Sequence, residues 1–251
     1  MIALRTFWNS ILDIFEELFV SIAANLLFCL IALPVPYVAF VLWQESLYAG
    51  AVILALLAPI PLGLASGGLT HLARHIADGK AVKWSTISDG IRHGIRRRIT
   101  IWYLWSLVFY ACFFNIWFYG SADGMPFYLA ALFFDLTILW LGYLAFLLPM
   151  SARYPDQSLP TLLRNSAGVM FSIAGSMILM AIIASLLFII SSLLLILMIF
   201  FFWIFVTLWS TRLTDASIKI ILDRQEQAQA PADDTGADDG PRQPKGQVRP
   251  K

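Results

Sequence analysis

From Val169 to Trp209 the chain runs for 41 residues without one charged side chain. As a single α-helix this stretch would measure about 62 Å at 1.5 Å per residue, twice the roughly 30 Å hydrocarbon core of a bilayer. Two spans joined near Ser191 and Ser192 fit where one does not. Shorter runs of the same kind recur along the sequence. With 59% hydrophobic and 13% charged residues, the chain departs from the globular average of about 45–50% apolar and 25% charged. An ordinary soluble enzyme is excluded, and the expected class is an all-α polytopic membrane bundle.

Six transmembrane helices are expected, at about 23–43, 47–67, 99–119, 126–148, 169–189 and 192–211. Ahead of them, Leu4, Phe7, Trp8, Ile11, Phe15 and Leu18 recur at helical spacing, with Arg5, Asp13, Glu16 and Glu17 elsewhere on the wheel. This predicts an amphipathic helix over residues 1–20 lying in the interface. No short apolar core followed by a small-residue cleavage site is present, so a removable signal peptide is not expected. The membrane domain covers 21–224. From Gln225 the composition turns to Gln, Ala, Pro, Asp and Gly, which cannot bury a core, so residues 225–251 are expected to form a disordered tail.

Charge placement gives an independent reading of orientation, because cytoplasmic loops hold the excess of Lys and Arg. Six spans put both termini on one side, together with all seventeen Lys and Arg residues; the opposite loops carry only Glu45 and Asp123. A five-span chain with one long final helix would export the seven cations that begin at Arg212. The expected location is therefore a bacterial inner (plasma) membrane, multi-pass, with both termini cytoplasmic.

Several constellations are candidates for chemistry. Asp135 is the one carboxylate well inside an expected span, and an ionised Asp there costs about 2.5–3.5 kcal/mol on insertion scales. It reads either as a proton- or substrate-coupling group, with Asn115 and Thr137 as neighbours, or as a structural residue near the outer interface. Pro34 with Pro36, and Pro59 with Pro61, interrupt the first two spans; freed carbonyls at membrane depth need protein or a cavity around them. Broken helices can mark a transporter's site, and packing kinks are the plainer explanation. Gly63 and Gly67 stand at GxxxG spacing and predict close helix contact. Arg96, Arg97 and Arg98 end a cytoplasmic segment just before the third span, where cations suit lipid headgroups. His71, His75 and Asp78 align at i, i+4 and i+7, a chelating spacing without the acid motif of a metalloprotease, so no metal is expected. Cys29 and Cys112 fall in apolar runs and behave as small hydrophobes. No Walker loop, GxSxG, CxxC or dinucleotide fingerprint occurs, so no cofactor, no nucleic-acid partner and no catalysis are expected.

The opening Asn25, Leu26 and Leu27, the stretch Pro61, Gly63 and Ala65 to Leu69, then Leu72, Ala73 and Arg74 carry a family likeness. So do Trp84, the segment Ile91 to Trp102 and Leu163 to Ala167. On these residues, over roughly 20–220, the chain resembles the YesL-like family of bacterial integral membrane proteins, a domain of unknown function. The resemblance implies a role assisting carbohydrate uptake and brings no catalytic residues with it. The expected function is that of a non-catalytic accessory or interaction component, its partners the lipid bilayer and a membrane protein such as a sugar importer. The alternative is a small secondary transporter using the proline-broken first hairpin and Asp135.

Overall fold

The computed structural model describes residues 2–121 and 127–229, and among these it is helical with no strand. The helices are α1 (Ile2–Glu16), α2 (Leu18–Ala32), α3 (Pro34–Gln44), α4 (Tyr48–Leu57), α5 (Pro59–Ala77) and α6 (Trp84–Arg92). They continue with α7 (Ile95–Gly120), α8 (Phe127–Arg153), α9 (Leu159–Ser172), α10 (Ala174–Leu193), the single turn α11 (Leu195–Leu197), a π-helical segment (Met198–Phe202) and α12 (Trp203–Gln229). Five helical stretches are long and apolar enough to cross a membrane: Tyr48–Ala77, Ile95–Gly120, Tyr128–Arg153, Ala174–Leu193 and Leu195–Gln227. The count becomes six if α1 and α2, bent by 100° where they meet, are taken together. An all-α polytopic bundle is the result.

The expected span 23–43 is divided at Leu33, where Pro34 starts a new helix. Leu33 N–H still donates to the Cys29 carbonyl and Tyr37 N–H to Leu33, so the ladder continues across the junction. The two ends of this interrupted rod lie far apart. Asp13 of α1 pairs with Arg212 on α12, whereas Trp43 at the end of α3 meets Trp117 near the far end of α7, ring centroids 6.3 Å apart. Leu18 to Gln44 thus runs the length of the bundle. The expected join near Ser191 and Ser192 falls at Leu194, which has ψ 74 and leaves the helical region.

The α1 helix divides its faces by residue size. Ala3, Thr6, Ser10 and Ile14 are buried against α12, while Leu4, Trp8, Leu12 and Phe15 point outward. Trp209 Nε1 donates to Ala3 O (3.1 Å) and Thr6 Oγ1 (3.2 Å), and Phe7 meets Phe205 and Trp209 edge-on. Small residues let two backbones approach, and the bulky apolar stripe is left to lipid, where burial against protein brings no hydrophobic gain.

Two buried clusters share the α12 helix. One joins α8, α9 and α10 around Phe146, Leu162 and Trp209; the other joins α2 and α5 around Phe28, Leu72 and Leu208. In the membrane, α7 is clasped to α8 by a reciprocal pair: Trp105 Nε1 donates to Trp140 O (3.0 Å) and Trp140 Nε1 to Trp105 O (2.9 Å). Between α6 and α7 the chain breaks at Gly94, whose φ of 67° lies in the left-handed region that favours glycine. Residues 225–229 continue α12; the rest of the expected disordered tail, and Asp123, lie outside the described residues.

Candidate intramembrane cavity

At two of the helix interruptions the freed backbone groups are met from neighbouring helices. Pro59 has no N–H to give the Ala55 carbonyl, and Tyr110 Oη donates to that carbonyl instead (2.8 Å). At the π segment, fully buried Asn25 inserts its carboxamide into the ladder. Its Nδ2 donates to Met198 O (3.1 Å) and Ile199 O (2.6 Å), and its Oδ1 accepts from Ile204 N–H (2.9 Å). Single π turns inside α-helices recur at functional sites.

Beside that segment lies a cavity of about 560 Å³, walled by α2, α5, α7, α8, α10, the π segment and α12. Phe28, Trp102, Phe202 and Trp203 supply bulk to the wall, and Ser66 and Thr70 supply hydroxyls. Three of the wall's hydroxyl hydrogens are already committed: Ser66 donates to Gly63 O, Thr70 to Ser66 O, and Ser210 to Thr207 O, whereas that of Ser185, exposed on α10, has no partner among the described residues. Trp102 Nε1 in turn donates to Ser66 Oγ (2.8 Å). The buried indole N–H of Trp203 has no acceptor among the described residues. No lining side chain is ionisable.

One turn beyond Thr70 and Ser210, charges alternate across three helices. Lys80 pairs with Asp78 (3.1 Å), Asp78 with Arg74 (3.0 Å), Arg74 with both oxygens of Asp215 (2.8 and 2.9 Å), and Asp215 with Arg153. The ends of α5, α8 and α12 are thereby tied together at one end of the cavity. Burial alone would push the Asp78 carboxyl up, but the hydrogen bond from Lys80 and the charges of Arg74, Lys80 and Arg153 hold it below its ordinary 3.8. Asp215 was not singled out by sequence; it is one of two acids, with Asp223, in the stretch Arg212 to Arg224, and lies about one turn after Arg212.

The expected site residues do not assemble. Asp135 is exposed on the outer side of α8, with no hydrogen bond or ion pair among the described residues, and it does not line the cavity. Asn115 is half-buried and donates to Ala111 O of its own helix, while Thr137 donates to Phe133 O. Pro34, Pro36, Pro59 and Pro61 begin α3 and α5 and stay outside the cavity wall. Gly63 and Gly67 face the start of α7: a Cβ at Gly63 would lie 3.0 Å from Ile99 Cα, and one at Gly67 would strike the Arg98 guanidinium.

The headgroup assignment needs correcting for two of the three arginines. Arg98 is buried, and its Nη2 donates to the carbonyls of Gly90, Ile91 and His93, capping the C-terminus of α6. Arg97 donates to Pro155 O, and Arg96 alone is fully exposed. Consecutive helical residues turn about 100°, so three arginines in a row cannot all face headgroups. His71 and His75 pack with ring centroids 4.5 Å apart and planes tilted by 50°, His75 Nδ1 lies 3.1 Å from His71 O, and Asp78 is engaged by Arg74 and Lys80.

Compared with protein-family models, curated proteins and solved structures, the chain finds no match in any of the three.

Proposed function

We propose that this chain is a non-catalytic accessory component of the bacterial plasma membrane that works by holding a membrane-resident molecule within its bundle, with both termini cytoplasmic. The observation that carries the reading is the cavity wall: apolar and aromatic, with a few hydroxyls and no ionisable group. Its volume lies in the roughly 300–1,000 Å³ range of ligand sites. General acid–base work needs a titratable side chain within hydrogen-bond reach of the reacting group, and this wall offers none. The wall offers two donors not already committed, the Trp203 indole N–H and the Ser185 hydroxyl, fewer than the several hydroxyls of a sugar call on, so the link to carbohydrate uptake that the YesL-like resemblance implies runs through a partner protein.

Thermal unfolding of the purified chain against fractions of a membrane extract tests the proposal. A ligand at about 100 times its Kd adds roughly 2.7 kcal/mol of stability. A raised Tm with at least one membrane-soluble fraction, and none with simple sugars, is the expected result; no stabilising fraction at all would overturn it.

A second reading, a small secondary transporter, draws on the interruptions at Leu33, Ala58 and Leu194 and on the ion-pair network that closes one end of the cavity. In that reading Asp135 takes no part, and flux into vesicles survives Asp135→Asn but responds to Asp215→Asn.

A further inference from the structure

We infer that the cavity takes the acyl chain of a membrane phospholipid, entering sideways between α8 and α10; this rests on the holding role proposed above and names the class of molecule held. The exposed residues of the wall locate the mouth. They are Ile138 and Leu141 on α8 and Ser185, Phe188 and Ile189 on α10. The two helices touch where Gly142 meets Met177, whose Cε would lie 3.4 Å from a Cβ at that glycine. Past this contact, away from the ion-pair network, both helices turn lining residues outward.

Depth decides what lies outside the mouth. Along α8, Leu141 and Ile138 precede Arg153 by about 18 and 22 Å at 1.5 Å per residue. Arg153 sits in the charged network at the membrane boundary, so the mouth opens past the middle of a hydrocarbon core about 30 Å thick. The medium there is hydrocarbon, not water.

An apolar void of this kind stays dry, and an unfilled one forfeits dispersion contacts along its whole wall. Chains of the adjoining leaflet, present at the mouth at bulk concentration, recover those contacts. The headgroup does not follow. Ser66, Thr70, Thr207 and Ser210 spend their hydroxyl hydrogens on backbone carbonyls, which leaves the wall with the Trp203 indole N–H and the Ser185 hydroxyl at the mouth and no cation to meet a phosphate. A lipid of the leaflet opposite the basic face, with one chain inside and its headgroup at the surface, satisfies both constraints.

The test is native mass spectrometry of the full chain released from phospholipid nanodiscs into mild detergent. Ala184→Trp fills the cavity from α10, and Ile182→Trp adds the same bulk on the outward, lipid-facing side of that helix. One phospholipid retained by wild type and by Ile182→Trp, and lost in Ala184→Trp, is the expected pattern. Circular dichroism reports whether Ala184→Trp folds; if it does not, Ala181→Phe and Ala145→Phe, which also line the wall, answer the same question. Equal retention in every folded variant means surface lipid only and overturns the inference. Retention of a non-phospholipid, such as an isoprenoid, overturns the acyl-chain assignment and leaves the holding role standing. Nothing retained, together with no stabilising fraction in the unfolding assay, overturns both.

Discussion

Asn25 performs a task that no neighbouring residue type would perform as well. A leucine of similar size would leave the Ile199 carbonyl and the Ile204 N–H facing each other across a widened turn with nothing between them. An unmet polar group in a buried setting costs about 1–3 kcal/mol. We expect Asn25→Leu to lower unfolding stability in detergent by that amount, and Asn25→Asp to be no substitute, since a carboxylate cannot donate to Ile199 O. A full-stability Asn25→Leu protein would show that the π turn closes without help. The glycines of the same region separate in a similar way. A Cβ at Gly90 would meet His71 Cβ at 2.5 Å and Gly67 O at 2.7 Å, so backbone must move; at Gly67 the obstacle is the end of the Arg98 side chain, which can shift at the cost of its bonds to the α6 carbonyls. Gly90→Ala should therefore be the more damaging, by melting temperature, and the reverse order would mean that Arg98 is held more firmly than α6.

Among the elements, those set by hydrophobic length were legible and those set by hydrogen-bond repair were not. The charge-free run from Val169 had to supply two spans, and Ala174–Leu193 and Leu195–Gln227 are those two; the first starts five residues later than expected because α9 runs on to Ser172, and the break at Leu194 lies within three residues of the expected join. The division of the first span at Leu33 follows from Pro34 and Pro36, which the sequence displays plainly. What sequence could not convey was that Tyr110 and Asn25, from other helices, would make the interruptions tolerable. Asp135 attracted notice because a carboxylate in an apolar run is rare, yet rarity along the chain carries no information about which side of α8 it occupies. The charged network shows the same limit, since pairs 141 and 62 residues apart, Arg74 and Arg153 with Asp215, have no local signature. At this scale the network also makes a pH prediction. Asp78 has a lowered pKa in the folded chain, so its contribution is present above the unfolded value and is lost as pH falls through the folded one. Pairs this accessible are worth about 0–1 kcal/mol. Asp78→Asn should cost that much at pH 7, and the difference from wild type should shrink as pH falls below the ordinary carboxylate value of about 3.9.

For the molecule as a whole, the decisive question is how many times the chain passes through the bilayer, because every statement about faces and leaflets depends on it. Between Lys80 and Gln225 four long apolar helices intervene, an even number, which returns the chain to the side it left. The beginning of the chain is fixed by contact rather than by hydropathy. The Asp13–Arg212 pair sets α1 one turn from Asp215, while Trp43 and Tyr48 gather with Trp117 at the opposite end, where interfacial aromatics are favoured. The interrupted rod from Leu18 to Gln44, about 40 Å long if straight, is long enough to cross the membrane although neither of its halves is long enough alone, and we expect it to do so. Cysteine tagging decides the matter. In a chain with Cys29 and Cys112 replaced, tags at Arg5, Lys80 and Gln225 should react from one compartment and a tag at Ser46 from the other. Labelling of Arg5 together with Ser46 would mean that the first rod lies along the surface, and the basic face would then no longer hold both ends of the described chain.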